Sequence, residues 1–140
     1  MSARGRAAQG ILDTSTVILL GRITDATALP GEALISAVTL AELSVGPLVA
    51  EGEERAARQA HLQQAEADFR PLPFDADAAR AFGRVAASLR GAGRKSSARA
   101  YDAMIAATAL ANDLPLYTCN PADFADIDGL DVIAVPVPSA

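Results

Sequence analysis

Apolar positions along the chain fall into short clusters separated by polar turns, and the clusters alternate between strand-like and helix-like spacing. Gly10 to Asp13 is a short apolar run closing on an acid, which predicts a buried strand. Thr14 or Ser15 can cap a helix that continues through Ile23. Residues 24 to 31 read as a loop ending in Pro30-Gly31, and Ala33 to Ser36 as a second strand. Thr39 opens a helix with Glu42 three residues on, a capping-box spacing, and Gly46-Pro47 interrupts or ends it. Glu53 to Asp68 is polar and amphipathic, with Ala56, Ala60 and the Leu62 region on its apolar side, so it is expected on the surface. Leu72 to Phe74 form a short strand between prolines. Asp75 caps a helix to about Leu89, Gly91 to Ala98 form a basic loop, and a further helix runs from about Arg99 to Asn112. Leu116 to Cys119 is a strand, Asn120 to Phe124 a turn with a short helix, and Asp131 to Val135 a last strand.

Strands alternating with helices predict an α/β fold. Its centre would be a parallel sheet of about four to five strands, flanked by helices on both faces. The 140 residues are expected to form a single domain, 1–140, with no internal repeat. Half the residues, 51%, are hydrophobic, which fits a globular chain, and no apolar run reaches the roughly 18 residues that cross a bilayer. No apolar segment with a cleavage site follows Arg4 and Arg6, so a cytoplasmic address is expected. Cys119, the single cysteine, excludes an internal disulfide and reads as a small core residue.

The candidate chemistry is carboxylate chemistry. The helix opening Tyr101-Asp102-Ala103-Met104-Ile105 is almost wholly small and apolar, yet carries an acid in its first turn. A helix N-terminus favours negative charge, so Asp102 alone is unremarkable. Asp13, however, closes the first strand, Glu42 sits inside an apolar pattern just past the second, and Asp123 follows the fourth. In a parallel α/β sheet ligands bind beyond the carboxyl ends of the strands, so four acids from distant segments would converge on one rim. Crowded carboxylates repel unless a cation neutralises them. Oxygen donors select a hard cation, Mg2+ with Mn2+ able to substitute. The single histidine, His61, lies on the polar helix as a surface residue, so a histidine pair for acid–base hydrolysis is absent. What remains is metal-assisted attack on a phosphodiester.

The net charge of −5 speaks against nucleic acid, but its distribution does not. Arg80, Arg84, Arg90, Arg94, Lys95 and Arg99 follow one another with no acid between them, and no Lys or Arg comes after Arg99. Arg84, Arg90, Arg94, Lys95 and Arg99 could form an RNA-binding strip beside an acidic pocket, or simply a solvated helix face.

Four strings, Leu12-Asp13-Thr14-Ser15, Ser36-Ala37-Val38-Thr39-Leu40-Ala41-Glu42-Leu43, Asp102-Ala103-Met104-Ile105-Ala106-Ala107-Thr108-Ala109 and Thr118-Cys119-Asn120-Pro121-Ala122-Asp123-Phe124, together resemble a PIN domain. Within that family the chain is most similar to the VapC-type toxins of toxin–antitoxin pairs, over about residues 10 to 136. The resemblance implies a PIN-like fold and a Mg2+-dependent endoribonuclease. Asp13, Glu42 and Asp102 would be its core acids. Many members carry an acid two residues after the threonine ending the fourth strand, whereas this chain has Asn120 there and Asp123 three residues further on. Asn120 could bond a water or a carboxylate, and Asp123 could complete the site. Thr14 and Thr118 would support the acids from behind. The resemblance also implies a VapB-type antitoxin, an RNA substrate and a homodimer, while the lack of a long apolar run implies no membrane. An Arg of the antitoxin could pair with Asp13 or Asp102, and the surface around Leu43 to Val49 offers an apolar groove. The alternatives are a catalytically inactive PIN-like interaction module and a phosphorelay receiver. The receiver needs a lysine after its fifth strand, and no lysine follows Lys95.

Overall fold

The structure, a computed structural model, describes residues 7–95 and 99–138. Its centre is a sheet of five strands: β1 (Gln9–Leu12), β2 (Glu32–Ser36), β3 (Pro71–Leu72), β4 (Leu116–Thr118) and β5 (Val132–Ala134). They are ordered β3-β2-β1-β4-β5, and every pairing is parallel. Around the sheet lie α1 (Thr14–Ile18), α2 (Ala37–Leu48), α3 (Gly52–Asp68), α4 (Ala76–Gly91) and α5 (Ala100–Ala111), with 3-10 turns at Leu20–Arg22, Ala26–Ala28 and Pro121–Phe124.

The period of two along each strand divides the core. Ile11, Leu34 and Leu116 point to one face, where α4 and α5 pack; Leu12, Ile35 and Tyr117 point to the other, with Val17 of α1 and Ala65 of α3. Both faces are covered, which is why the strands are apolar runs rather than alternating ones. Ala103, Ala106, Ala107 and Ala109 of α5 are buried, as are Ala78 and Ala81 of α4. Small side chains there let the two helices approach each other and the sheet closely. Gly10 shows the same constraint on a strand: a Cβ there would stand 2.6 Å from the Tyr117 ring.

The strand order sets the site. The chain runs outward from β1 through β2 to β3, then returns to lay β4 on the other side of β1. The order reverses between β1 and β4, and in such sheets the crevice at the reversal is where ligands bind.

Several local expectations need revision. The cap of α1 is Asp13 itself, which accepts the Thr16 amide at 3.2 Å, and not Thr14 or Ser15; regular helix ends at Ile18 rather than Ile23. The cap of α2 is Ser36, accepting the Val38 amide at 3.0 Å, so the Thr39–Glu42 capping box does not form. Pro47 lies within the last turn of α2, where it breaks the helix one residue on. The third strand is Pro71–Leu72, not Leu72 to Phe74. On α3 the buried position is Ala65, while Ala56 and Ala60 are exposed. The expected basic loop falls partly on residues 96–98, which lie outside the described residues.

Candidate active site

Asp13 stands one residue past β1, at the reversal, with 3% of its surface exposed. A buried carboxylate must be satisfied by hydrogen bonds, and this one is. Oδ1 accepts the Thr16 amide and the Thr16 hydroxyl. Oδ2 accepts the Ser15 hydroxyl at 3.0 Å and the Thr118 hydroxyl at 2.9 Å. Three hydroxyls and one amide therefore fix the side chain. The end of β4 braces them in turn. The Cys119 amide donates to Thr16 Oγ1 at 3.0 Å, and the Asn120 amide to Thr118 Oγ1 at 2.9 Å. Asn120 Nδ2 donates to Ser15 Oγ at 3.0 Å.

Glu42 lies in the second turn of α2, half-buried. Thr14 Oγ1 donates to its Oε1 at 2.5 Å and lies 3.1 Å from Thr39 Oγ1. Burial is the main cause that raises the Glu42 pKa; the Thr14 hydrogen bond opposes it, and the Asp13 charge adds to it. Asp102, in the first turn of α5, is pushed up to about 6, first by burial and then by the charges of Asp123, Glu42 and Asp13, with Arg99 pulling the other way. Its helix is tied to the rest of the site through Thr108, whose Oγ1 lies 3.1 Å from the α2 cap, Ser36 Oγ. Asp123 sits in the 3-10 turn after β4 and forms an ion pair with Arg99, Nη1 to Oδ1 2.6 Å; the same nitrogen is 3.6 Å from Asp102 Oδ2.

Asp102 thus lies within reach of the charges of Asp123, Glu42 and Asp13, and Glu42 within reach of that of Asp13. The donors are all oxygen, the set that suits Mg2+ or Mn2+, and their mutual repulsion is what a divalent cation would relieve. Among the described residues no group of three or more His, Cys, Asp or Glu is already arranged to hold a metal ion. The fit is one of chemistry and charge.

Ser15 and Thr16 were not anticipated. The available signal was an acid at a strand–helix junction: an N-cap acid turns toward the residue three on, here Thr16. Asn120 contacts Ser15 rather than an acid. His61 is half-buried and lines an apolar groove with Val17, Ile18, Leu20 and Phe69, not an open surface. The basic strip is not continuous. Arg94 pairs with Asp126 at 3.3 Å and donates to the Ala125 carbonyl at 3.2 Å, and Arg99 lies on the acids; Arg84, Arg90 and Lys95 are exposed. The fold returns the acidic tail onto the basic segment.

The fold and the acidic edge define a parallel α/β domain with a carboxylate site at its strand reversal. The PIN domain family model matches residues 11–130. Ribonuclease VapC5 of Mycobacterium tuberculosis is 40% identical over 124 residues, 87% of this chain and 90% of the relative. Ribonuclease VapC of Rickettsia bellii is 30% identical over 131 residues, 91% and 96% of the two chains. In the crystal structure of VapBC-5 from Mycobacterium tuberculosis, a member of the VapBC family of toxin–antitoxin systems, the matching chain has a TM-score of 0.79 at 40% identity, covering 91% of this chain and 99% of that one. The chain belongs to the PIN-domain family, among the VapC ribonucleases.

Proposed function

We propose that this chain is a VapC-type toxin: an endoribonuclease that hydrolyses RNA phosphodiesters with a divalent cation, Mg2+ or in its place Mn2+. The observation that carries this reading is the meeting of Asp13, Glu42, Asp102 and Asp123, from four separate segments, at the reversal between β1 and β4. A divalent cation bound there would lower the pKa of a water and offset charge gathering on the phosphate. The chain's own part is to place and neutralise. Asp13 presents a fixed carboxylate because its hydroxyl and amide donors leave it one orientation. Thr14 holds Glu42 by one oxygen, leaving the other for a ligand or a proton. Thr118 and Asn120 support Asp13, directly and through Ser15. Asp123 faces Asp102 across Arg99 and is the fourth acid of the site.

The reading extends to a partner. A relative's solved structure is a toxin–antitoxin complex, and we propose a small VapB-type antitoxin here too, with a homodimer and a cytoplasmic address. Val45, Leu48 and Val49 at the end of α2 are exposed, Leu48 by 75%, and suit an apolar anchor. No helix among the described residues is long and apolar enough to cross a membrane.

The test is RNA cleavage by the purified chain. Asp102→Asn keeps the shape, removes a charge, and should lower the rate by orders of magnitude. Chelation should do the same, with Mg2+ or Mn2+ restoring the parent. Undiminished cleavage in chelator would sink the metal mechanism, and absence of cleavage under every condition would favour an inactive binding module.

A further inference from the structure

Arg99 occupies a position its own helix does not favour. It is the N-cap residue of α5, with φ −134 and ψ 45, and its side chain caps nothing. A positive charge at a helix N-terminus opposes the helix dipole. What holds it there is the acidic rim. One nitrogen, Nη1, lies 2.6 Å from Asp123 Oδ1 and 3.6 Å from Asp102 Oδ2, and the Arg99 side chain is still 46% exposed. Among the described residues it is the cation that pairs with Asp102 and Asp123. The other cations of its segment are engaged elsewhere or open to solvent: Arg80 on Asp77, Arg94 on Asp126.

We infer that Arg99 is a resident counter-ion of the acidic site, and that it competes with the divalent cation for Asp102 and Asp123. The inference rests on the metal reading proposed above. One guanidinium charge partly offsets two carboxylates in the metal-free chain. A divalent cation on the same oxygens offsets them more fully, but must first displace the arginine. Being half exposed and joined to Asp123 across the fold, Arg99 can swing into solvent without disturbing the core. The strength of its two contacts then sets the metal concentration at which the site fills.

The experiment is Mn2+ binding to the full chain without RNA, followed by calorimetry and by the melting temperature. Arg99→Gln should bind Mn2+ about three- to tenfold more tightly than the parent, the range expected for losing one or two partly exposed ion pairs. Its metal-free form should melt below the parent. Arg99→Lys, which keeps a charge at the site, should move the affinity back toward the parent value. Arg80→Gln makes the same change in net charge away from the acids and should alter the affinity by less than about twofold. Equal effects of Arg99→Gln and Arg80→Gln would reduce the result to net charge and overturn the inference. So would unchanged or weaker Mn2+ binding by Arg99→Gln while the parent binds. A folded parent that binds no Mn2+ would overturn the metal reading itself, and this inference with it.

Discussion

Neutralising Asp102 should make the metal-free protein more stable, although the residue lies at the candidate active site. Its carboxyl is pushed from an ordinary 3.8 to about 6. Between about pH 4 and pH 6 the folded chain therefore holds a proton that the unfolded chain has lost. Stability falls as pH rises through that window, and the full cost is present at pH 7. At about 1.4 kcal/mol for each tenfold change in proton affinity, that cost is at most about 3 kcal/mol. The side chain is 28% exposed, so solvent screening reduces the figure to about 1–2 kcal/mol. Asp102→Asn removes it, the pull of Arg99 being already contained in that shift, and loses the favourable interaction of a first-turn acid with the helix N-terminus, worth about 0.3–1 kcal/mol. The net gain at pH 7 is about 1 kcal/mol, or a melting temperature higher by about 2–5 °C for a chain of this size. Thermal melts in chelator at pH 7 and pH 4 measure it: the gain should be clear at pH 7 and should vanish at pH 4. With Mn2+ the order should invert, since a ligand at one hundred times its Kd stabilises the parent by about 2.7 kcal/mol and the variant much less. If Asp102→Asn melts below the parent by the same margin at both pH values, Asp102 is an ordinary first-turn helix acid and the reasoning fails.

Two further outcomes follow from the hydrogen-bond scheme and the surface charge. Thr16→Val keeps the shape but leaves the Cys119 amide and one Asp13 lone pair unmatched; it should cost about 1–3 kcal/mol, measured by denaturant unfolding, and Thr16→Ser should restore most of it. Replacing Arg84, Arg90 and Lys95 with Ala should weaken RNA binding and flatten its salt dependence while leaving Mn2+ affinity nearly unchanged; salt-insensitive binding that survives the triple change would make the strip a solvated face.

What the sequence discloses, and what it hides, divides along a physical line. Strand–helix alternation and the acids at strand ends are local patterns, so the parallel sheet and the positions of Asp13, Glu42 and Asp102 could be read directly. Asp75, an acid before an amphipathic run, caps α4 as expected. The failures are choices between equivalent donors and acceptors. Thr14, Ser15 and Asp13 can each cap α1, and the burial of Asp13 against β4 decides among them. Ser36 and Thr39 can each cap α2; Ser36 takes the role because β2 ends there, which frees Glu42 for Thr14. Charge segregated along the chain is only partly segregated in space: Asp126 and Asp123 return to Arg94 and Arg99, while Arg84, Arg90 and Lys95 stay exposed.

These same choices explain how a chain of net charge −5 can hold an acidic site without unfolding around it. Asp13, the most buried of the four acids, is matched by four donors and braced by the end of β4. Glu42 has one donor and Asp102 has a single long ion pair, and these are the two whose pKa values are raised. Donor supply thus falls from Asp13 outward, and the uncompensated charge is concentrated where a cation from solution can reach. A site built in this way separates its two requirements. The hydroxyls around Asp13 fix geometry at folding, whereas Glu42, Asp102 and Asp123 leave their charge to be balanced by whichever cation is present. Adding a donor beside Asp102 should therefore stabilise the metal-free fold and weaken the cation's hold in the same step. Removing one beside Asp13 should loosen the fold and the site together.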